Sequence, residues 1–253
     1  MPTSRSSRSR ELTVDDVDAL ARGATLLGSG GGGHPRHFAL MARRAMGDGA
    51  VTVADPSDLA PGGLVVAIAM LGAPAITAEL LFEGTEFVRA LRGLERHLHD
   101  RAVAVMGLET AGVNVFPPLV VAAALRLPLL DLDGMGRAFP RLEQTVLHAR
   151  GAHGGPMVGA GVTGELVAFD VTDAARAEAL ARGCLAALGG WAAHACYPMT
   201  VAAAAERALH GSLARARWLG EALGAAANAE DLAARIDAAP RRADGVPTGD
   251  RRW

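Results

Sequence analysis

The stretch "LVVAIAM" at residues 64–70 decides the class of fold. It is apolar throughout, preceded by the turn signal "PGG" at 61–63 and followed closely by Gly72 and Pro74. That length is short for a helix and natural for a strand buried on both faces, where no polar alternation is needed. Two further runs have the same character, "AVAVMGL" at 102–108 and "LPLLDL" at 127–132. Helical patterns separate them: 85–98, "TEFVRALRGLERHL", sets an apolar stripe among charges, and 117–126 is helical again. Buried strands alternating with helices predict an α/β fold, a mostly parallel sheet covered by helices on both faces.

Working outward, Thr13 and the acidic turn after it predict a capped helix over 14–27, and Pro35 opens a second over 35–46. "AVTVA" at 50–54 is another strand candidate. Beyond residue 140 the glycine-rich stretches 151–155 and 159–164 lead to a strand candidate at 165–171 and an alanine-rich helix over 172–188. "HACYPM" at 194–199 reads as a strand, and 200–238 as helix in pieces, interrupted by Gly211 and Gly220, which makes the C-terminal part α-rich. Residues 12–238 read as a single α/β domain between disordered tails at 1–11 and 239–253. The opening "MPTSRSSRSR" has no hydrophobic segment after its charges, and the closing "PRRADGVPTGDRRW" is polar.

Composition removes several classes of function. A chain of 253 residues can bury a full core. Lys+Arg 25 against Asp+Glu 27 gives a net charge of −2, with no basic footprint for nucleic acid, and aromatics at 4% are too few for a base-stacking platform. The strongest apolar run, 64–76, is broken by Gly72 and Pro74 and is too short to span a membrane, so the expectation is a cytoplasmic protein. Every cation of the lysine–arginine class is arginine, which excludes a Schiff-base lysine, a P-loop lysine and a lysine base. Cys184 and Cys196 read as small buried residues, not as a disulfide.

In a parallel α/β sheet, ligands bind outside the carboxyl ends of the strands. Glu79 follows the first apolar strand, Glu109 and Asn114 the second, and Asp131, Asp133 and Arg137 the third, so these loops are expected to converge on one edge. The glycine loop "LLGSGGGGHPRHF" at 26–38, with Gly30, Gly31, Gly32, Gly33 and His34, would have to reach the same edge. Its glycines fit either a cradle for a ligand or a crowded crossing of two backbones. It is not a dinucleotide fingerprint, because a helix and not a strand precedes it. Glu109 fits a catalytic role or a helix cap. Asp131 and Asp133, at alternate strand positions, share a side and fit metal binding, acid–base work or turn formation around Gly134. With His34 and His37 they would make a mixed site for a divalent metal such as zinc, although no diagnostic ligand spacing is present.

Taken in order, "LGSGGGGHP", "MLGAPAITAE", "LETAGVNVFPPLVVAAALRLPLLDLDGMGRAFP" and "LGGWAAHACYPMT" resemble the DUF917 family, the S-methyl thiohydantoin desulfurase-like proteins. The resemblance implies an N-terminal domain acting on a small cyclic amide ring, the family's characterised activity being removal of a methylthio group by water to give the hydantoin and methanethiol; the expectation is hydrolysis of a C–S or C–N bond on a hydantoin-like or S-methyl thiohydantoin ring by activated water. It implies Glu109 or Asp133 as the base that activates water. Asn114, the glycine loop, His34, Glu79, Asp131 and Arg137 would then bind substrate. This sequence departs from the family pattern at His34, Ala111 and Arg141, where the family has an acidic residue, a glycine and an acidic residue. The family's C-terminal domain is expected to be missing, so the resemblance also implies a homo-oligomer or a second subunit that completes the site. A non-catalytic partner subunit or small-molecule-binding module is the competing reading.

Overall fold

In the computed structural model, residues 10–29, 31–72, 76, 79 and 83–238 are described. The first elements are β1 (Arg10–Leu12), α1 (Val17–Leu27), α2 (Arg36–Met46), β2 (Val51–Ala54) and β3 (Leu64–Gly72). Next come α3 (Thr85–Leu98), β4 (Ala102–Gly107), α4 (Phe116–Leu125), β5 (Leu129–Asp133) and the single turn α5 (Val146–Ala149). The chain continues through β6 (Met157–Ala160), β7 (Leu166–Phe169), α6 (Ala174–Cys184), β8 (Trp191–Thr200) and α7 (Val201–Arg207). It closes with β9 (Leu209–His210), α8 (Ser212–Ala225) and α9 (Ala229–Asp237).

The strands form one mixed sheet in the order β1-β2-β5-β4-β3-β8-β6-β7. Its centre, β2-β5-β4-β3, is parallel, as the apolar runs predict. The flanks are antiparallel: β1 on β2, and β8 on β3 followed by β6 and β7. β2 stops pairing with β5 after Ala54, and β9 takes its place, Leu132 facing His210.

Both faces of the sheet are covered. On one, Val66, Ile68, Ala193 and Ala195 pack with Phe38 of α2, Leu91 of α3 and Leu119 of α4. Aromatics are few but concentrated here: Phe87 sits 6.2 Å from Phe38 and 6.0 Å from Trp191 between ring centroids. On the other face, Val65, Ala67, Ala104 and Met106 meet Ala174, Ala177 and Ala181 of α6 and Ala204 of α7. A strand clad on both sides needs no polar residue in its interior, which is why β3 reads as uninterrupted hydrophobe.

Three expectations change. Arg10 and Glu11, assigned to a tail, pair with Val53 and Thr52, while residues 1–9 and 239–253 lie outside the described residues. Gly220 does not interrupt a helix: α8 runs through it. A Cβ on Gly220 would lie 1.7 Å from the carbonyl oxygen of Ala19, and one on Gly23 1.6 Å from that of Ala216. The two glycines therefore let α1 and α8 cross with backbones in contact. Finally, β6 and β9 arise in segments where glycine-rich or mixed sequence carried no strand signal.

Candidate active site

At the carboxyl edge of the parallel strands lies a cleft of about 350 Å³. Met70, Leu71 and Gly72 end β3 on one wall, and Glu109, Val113 and Asn114 come from the segment after β4. Arg137, Ala138, Phe139 and Pro140 come from the segment after β5. Ser29, Gly31, Gly32 and Gly33 close another side, and Arg182 of α6 reaches in from the second face. The convergence expected from strand direction is therefore realised for Glu109, Asn114, Arg137 and Gly31–Gly33. A second depression, about 400 Å³ and lined by Asp55, Leu59, Pro61, Val201 and His210, is separate from these residues.

The glycine loop serves two purposes. A Cβ on Gly28 would lie 2.8 Å from the nitrogen of Gly112, and one on Gly112 1.9 Å from the carbonyl oxygen of Gly32. Val113 N–H donates to that oxygen at 2.8 Å. So Gly28 and Gly32 are glycines because another backbone presses on them, and Gly112, at φ +52, because its conformation also favours glycine. Gly31, by contrast, has open space where a side chain would go and lines the cleft. Gly30 lies outside the described residues.

Glu109 is the cleft's buried carboxyl group, 8% exposed. Asn114 fixes it: the Asn114 Nδ2 amine donates to Glu109 Oε2 at 2.8 Å, and Asn114 Oδ1 accepts the Met70 N–H at 2.7 Å. The end of β3 thus sets the amide, and the amide sets the acid. Burial pushes the Glu109 pKa up to about 8; the Asn114 hydrogen bond opposes this and the nearby Asp133 charge adds to it. A group with a pKa near working pH can both take and give a proton.

The two aspartates do share a side, yet neither lines the cleft. Asp133 is fully buried and accepts N–H groups of Met135 at 2.9 Å and Gly136 at 2.8 Å, with Ser212 and the Thr110 backbone as further partners. Burial raises its pKa against those hydrogen bonds. Asp131 accepts the N–H groups of Leu213 at 2.7 Å and Ala214 at 3.3 Å, in the first turn of α8. Both carboxyls organise backbone, as turn former and helix cap. Glu79 and His34 are exposed and do not line the cleft, and His34 Nδ1 accepts the Arg36 N–H at 3.3 Å. Of the four residues considered for a divalent metal, His34, His37, Asp131 and Asp133, the two aspartates accept backbone N–H groups. No cluster of three or more His, Cys, Asp or Glu suited to a metal occurs among the described residues. The sequence analysis missed Arg182, whose Nε donates to Glu178 Oε1 at 2.5 Å. An i,i+4 pair on an alanine-rich helix reads simply as a solvated face.

Among the described residues no helix is long and apolar enough to cross a membrane. The model of the N-terminal domain of S-Me-THD-like proteins matches residues 15–171, and that of the C-terminal domain matches residues 172–249. The second match corrects the expectation that only the N-terminal domain is present: α6, with Arg182, and α8, capped by Asp131, belong to the C-terminal match. A crystal structure of a protein from Chromobacterium violaceum superposes with a TM-score of 0.80 at 28% identity, over 91% of this chain and 66% of that one. The chain therefore spans just under two thirds of that protein's length. No functionally curated protein matches the chain.

Proposed function

Because the chain belongs to the S-Me-THD-like family, we propose that it hydrolyses the exocyclic C–S bond of an S-methylated thiohydantoin, releasing methanethiol and the hydantoin, with water activated at Glu109. The observation that carries this reading is the buried Glu109 carboxyl group, the one carboxyl lining the cleft among the described residues, oriented by Asn114 and poised near neutral pH.

The chemistry asks one group to move one proton. In its carboxylate form Glu109 takes a proton from water as the oxygen attacks the ring carbon bearing sulfur. The protonated Glu109 then gives that proton to the departing sulfur as the C–S bond breaks. The second water proton passes from the new C–O–H group to the ring nitrogen that had been double-bonded to the same carbon, so the ring carbonyl and its N–H form together and ring plus water has become hydantoin plus methanethiol. With a pKa of about 8, roughly one site in ten is ionised at pH 7, so turnover rises with pH through that value. The backbone of Ser29, Gly31, Gly32 and Gly33 forms one side of the space the ring would fill, with the Gly31 and Gly32 N–H groups donating to the Gly28 carbonyl at 3.0 Å. Asp133 holds the segment after β5 and takes no proton from water.

Methanethiol release from an S-methyl thiohydantoin, measured for wild type and Glu109→Gln, tests the reading. Wild type turns over and the variant does not; equal rates, or no turnover by wild type across a panel of ring substituents, would refute it.

A further inference from the structure

Glu178 is a buried carboxyl group that the proton transfer does not use. It lies on α6, 5% exposed, among the alanines Ala174, Ala177 and Ala181 that pack into the core. Its Oε2 accepts the Leu142 N–H at 3.1 Å, and its Oε1 accepts Arg182 Nε at 2.5 Å. Arg182, one turn further along the helix, donates from Nη2 to the Pro140 carbonyl at 2.7 Å. One carboxylate therefore holds both ends of Pro140–Leu142, the nearer end through Arg182. Tyr197 of β8, at φ +47, adds a grip of its own, its hydroxyl donating to the Leu142 carbonyl at 2.8 Å. What these bonds hold is the end of a cleft wall, since Arg137, Ala138, Phe139 and Pro140 line the cleft. Upstream the wall is tied by the Gly136 N–H to Asp133 at 2.8 Å and by the Ala138 N–H to the Leu27 carbonyl at 3.3 Å. Downstream it is tied to α6. Phe139, between the two anchorages, is 38% exposed, so packing alone does not fix it. An ion pair with a buried partner is weak evidence for stability, because desolvation offsets the attraction. Here both partners reach from one helix to one backbone segment, which is what positioning asks of them.

We propose that Glu178 is a positioning residue: acting through Arg182, it holds the 137–140 wall in the shape that receives the ring. The kinetic consequence rests on the hydrolase reading above, whereas the hold on the wall does not. A wall fixed before the ligand arrives leaves less to order on binding, so the pair acts on KM. Proton transfer stays with Glu109, and neither Glu178 nor Arg182 enters it. The arrangement also makes the cleft depend on α6, which lies in the C-terminal match, although its other lining segments lie in the N-terminal one.

Two variants test this. Glu178→Gln keeps an oxygen for the Leu142 N–H but turns an amide N–H toward Arg182. Arg182→Met, at a half-exposed side chain, keeps an unbranched apolar stem on α6 and removes the guanidinium, and it decides the matter if Glu178→Gln does not fold. Backbone hydrogen exchange without ligand is followed in the peptide 136–142 and, as a control, in 64–70 of β3. In both variants the first is expected to exchange about tenfold faster and the second to be unchanged. With an S-methyl thiohydantoin, KM is expected to rise about tenfold while kcat and its rise with pH stay in place, because Glu109 is untouched. A merely structural role would instead speed exchange in both peptides and leave KM alone. Unchanged exchange at 136–142, or faster exchange there with KM unmoved, overturns the positioning role and leaves the hydrolase reading standing. No turnover by wild type overturns the hydrolase reading, and the exchange rates alone then uphold or overturn the hold on the wall.

Discussion

Replacing Glu109 by Gln separates the burial of this carboxyl group from its chemistry. Its pKa rises from 4.5 to about 8 on folding, so between those values the folded chain holds a proton that the unfolded chain has released. Stability from this group is fully present below pH 4.5 and is lost as pH rises, by about 1.4 kcal/mol per unit, until the folded group ionises near pH 8. Gln keeps an oxygen to accept from Asn114 and never ionises. The unfolding free energy of the variant minus that of wild type is therefore expected to widen by roughly 3 kcal/mol between pH 5 and pH 8. His194 also titrates, burial pushing it down to about 4 and removing stability as pH falls below 6.5, but this is common to both proteins and cancels. Urea unfolding of both proteins at pH 5, 6.5 and 8 reads the difference directly. A gap that stays constant with pH would show that Glu109 is not held as a buried acid, and the proton-transfer role would fall with it.

Asn114→Ala leaves the Met70 N–H without its acceptor and frees Glu109. We expect a loss of about 1–3 kcal/mol in urea unfolding and a pH–rate rise displaced upward, because the lost hydrogen bond was lowering the Glu109 pKa. Gly112→Ala forces a Cβ against the Gly32 carbonyl at positive φ and should lower the melting temperature sharply, whereas Gly31→Ala meets open space and should change KM alone. Similar melting temperatures for the two would refute the account of the glycine loop. Asp133→Asn turns an amide toward backbone donors and should destabilise by about 2 kcal/mol, with turnover per folded molecule retained; a folded, inactive variant would return Asp133 to the chemistry.

Much of the fold was legible in local pattern. Apolar runs of strand length at 64–70, 102–108 and 127–132, the last interrupted by Asp131, read as strands clad on both faces, and they became β3, β4 and β5 at the parallel centre of the sheet. Strand direction then fixed which loops would meet, so Glu109, Asn114 and Arg137 reached one cleft as expected. Residue type alone did not say which carboxylates would face that cleft. Asp131 and Asp133 sit on the expected side of β5, but the first turn of α8, some eighty residues away in sequence, and the turn after β5 claim their oxygens. The glycines carried the same ambiguity: Gly28, Gly31 and Gly32 look alike in sequence, yet two are pressed by Gly112 and one faces open space. Arg182 and the crossing of Gly23 with Gly220 had no local signal at all, since each depends on which distant helix is its neighbour. Periodicity is written by burial within each element, and the sequence by itself determined the elements and the edge where they deliver their loops. Hydrogen-bond partners and backbone clearances belong to pairs of elements, and only the tertiary structure decided that Glu109 is the carboxyl group left to the cleft.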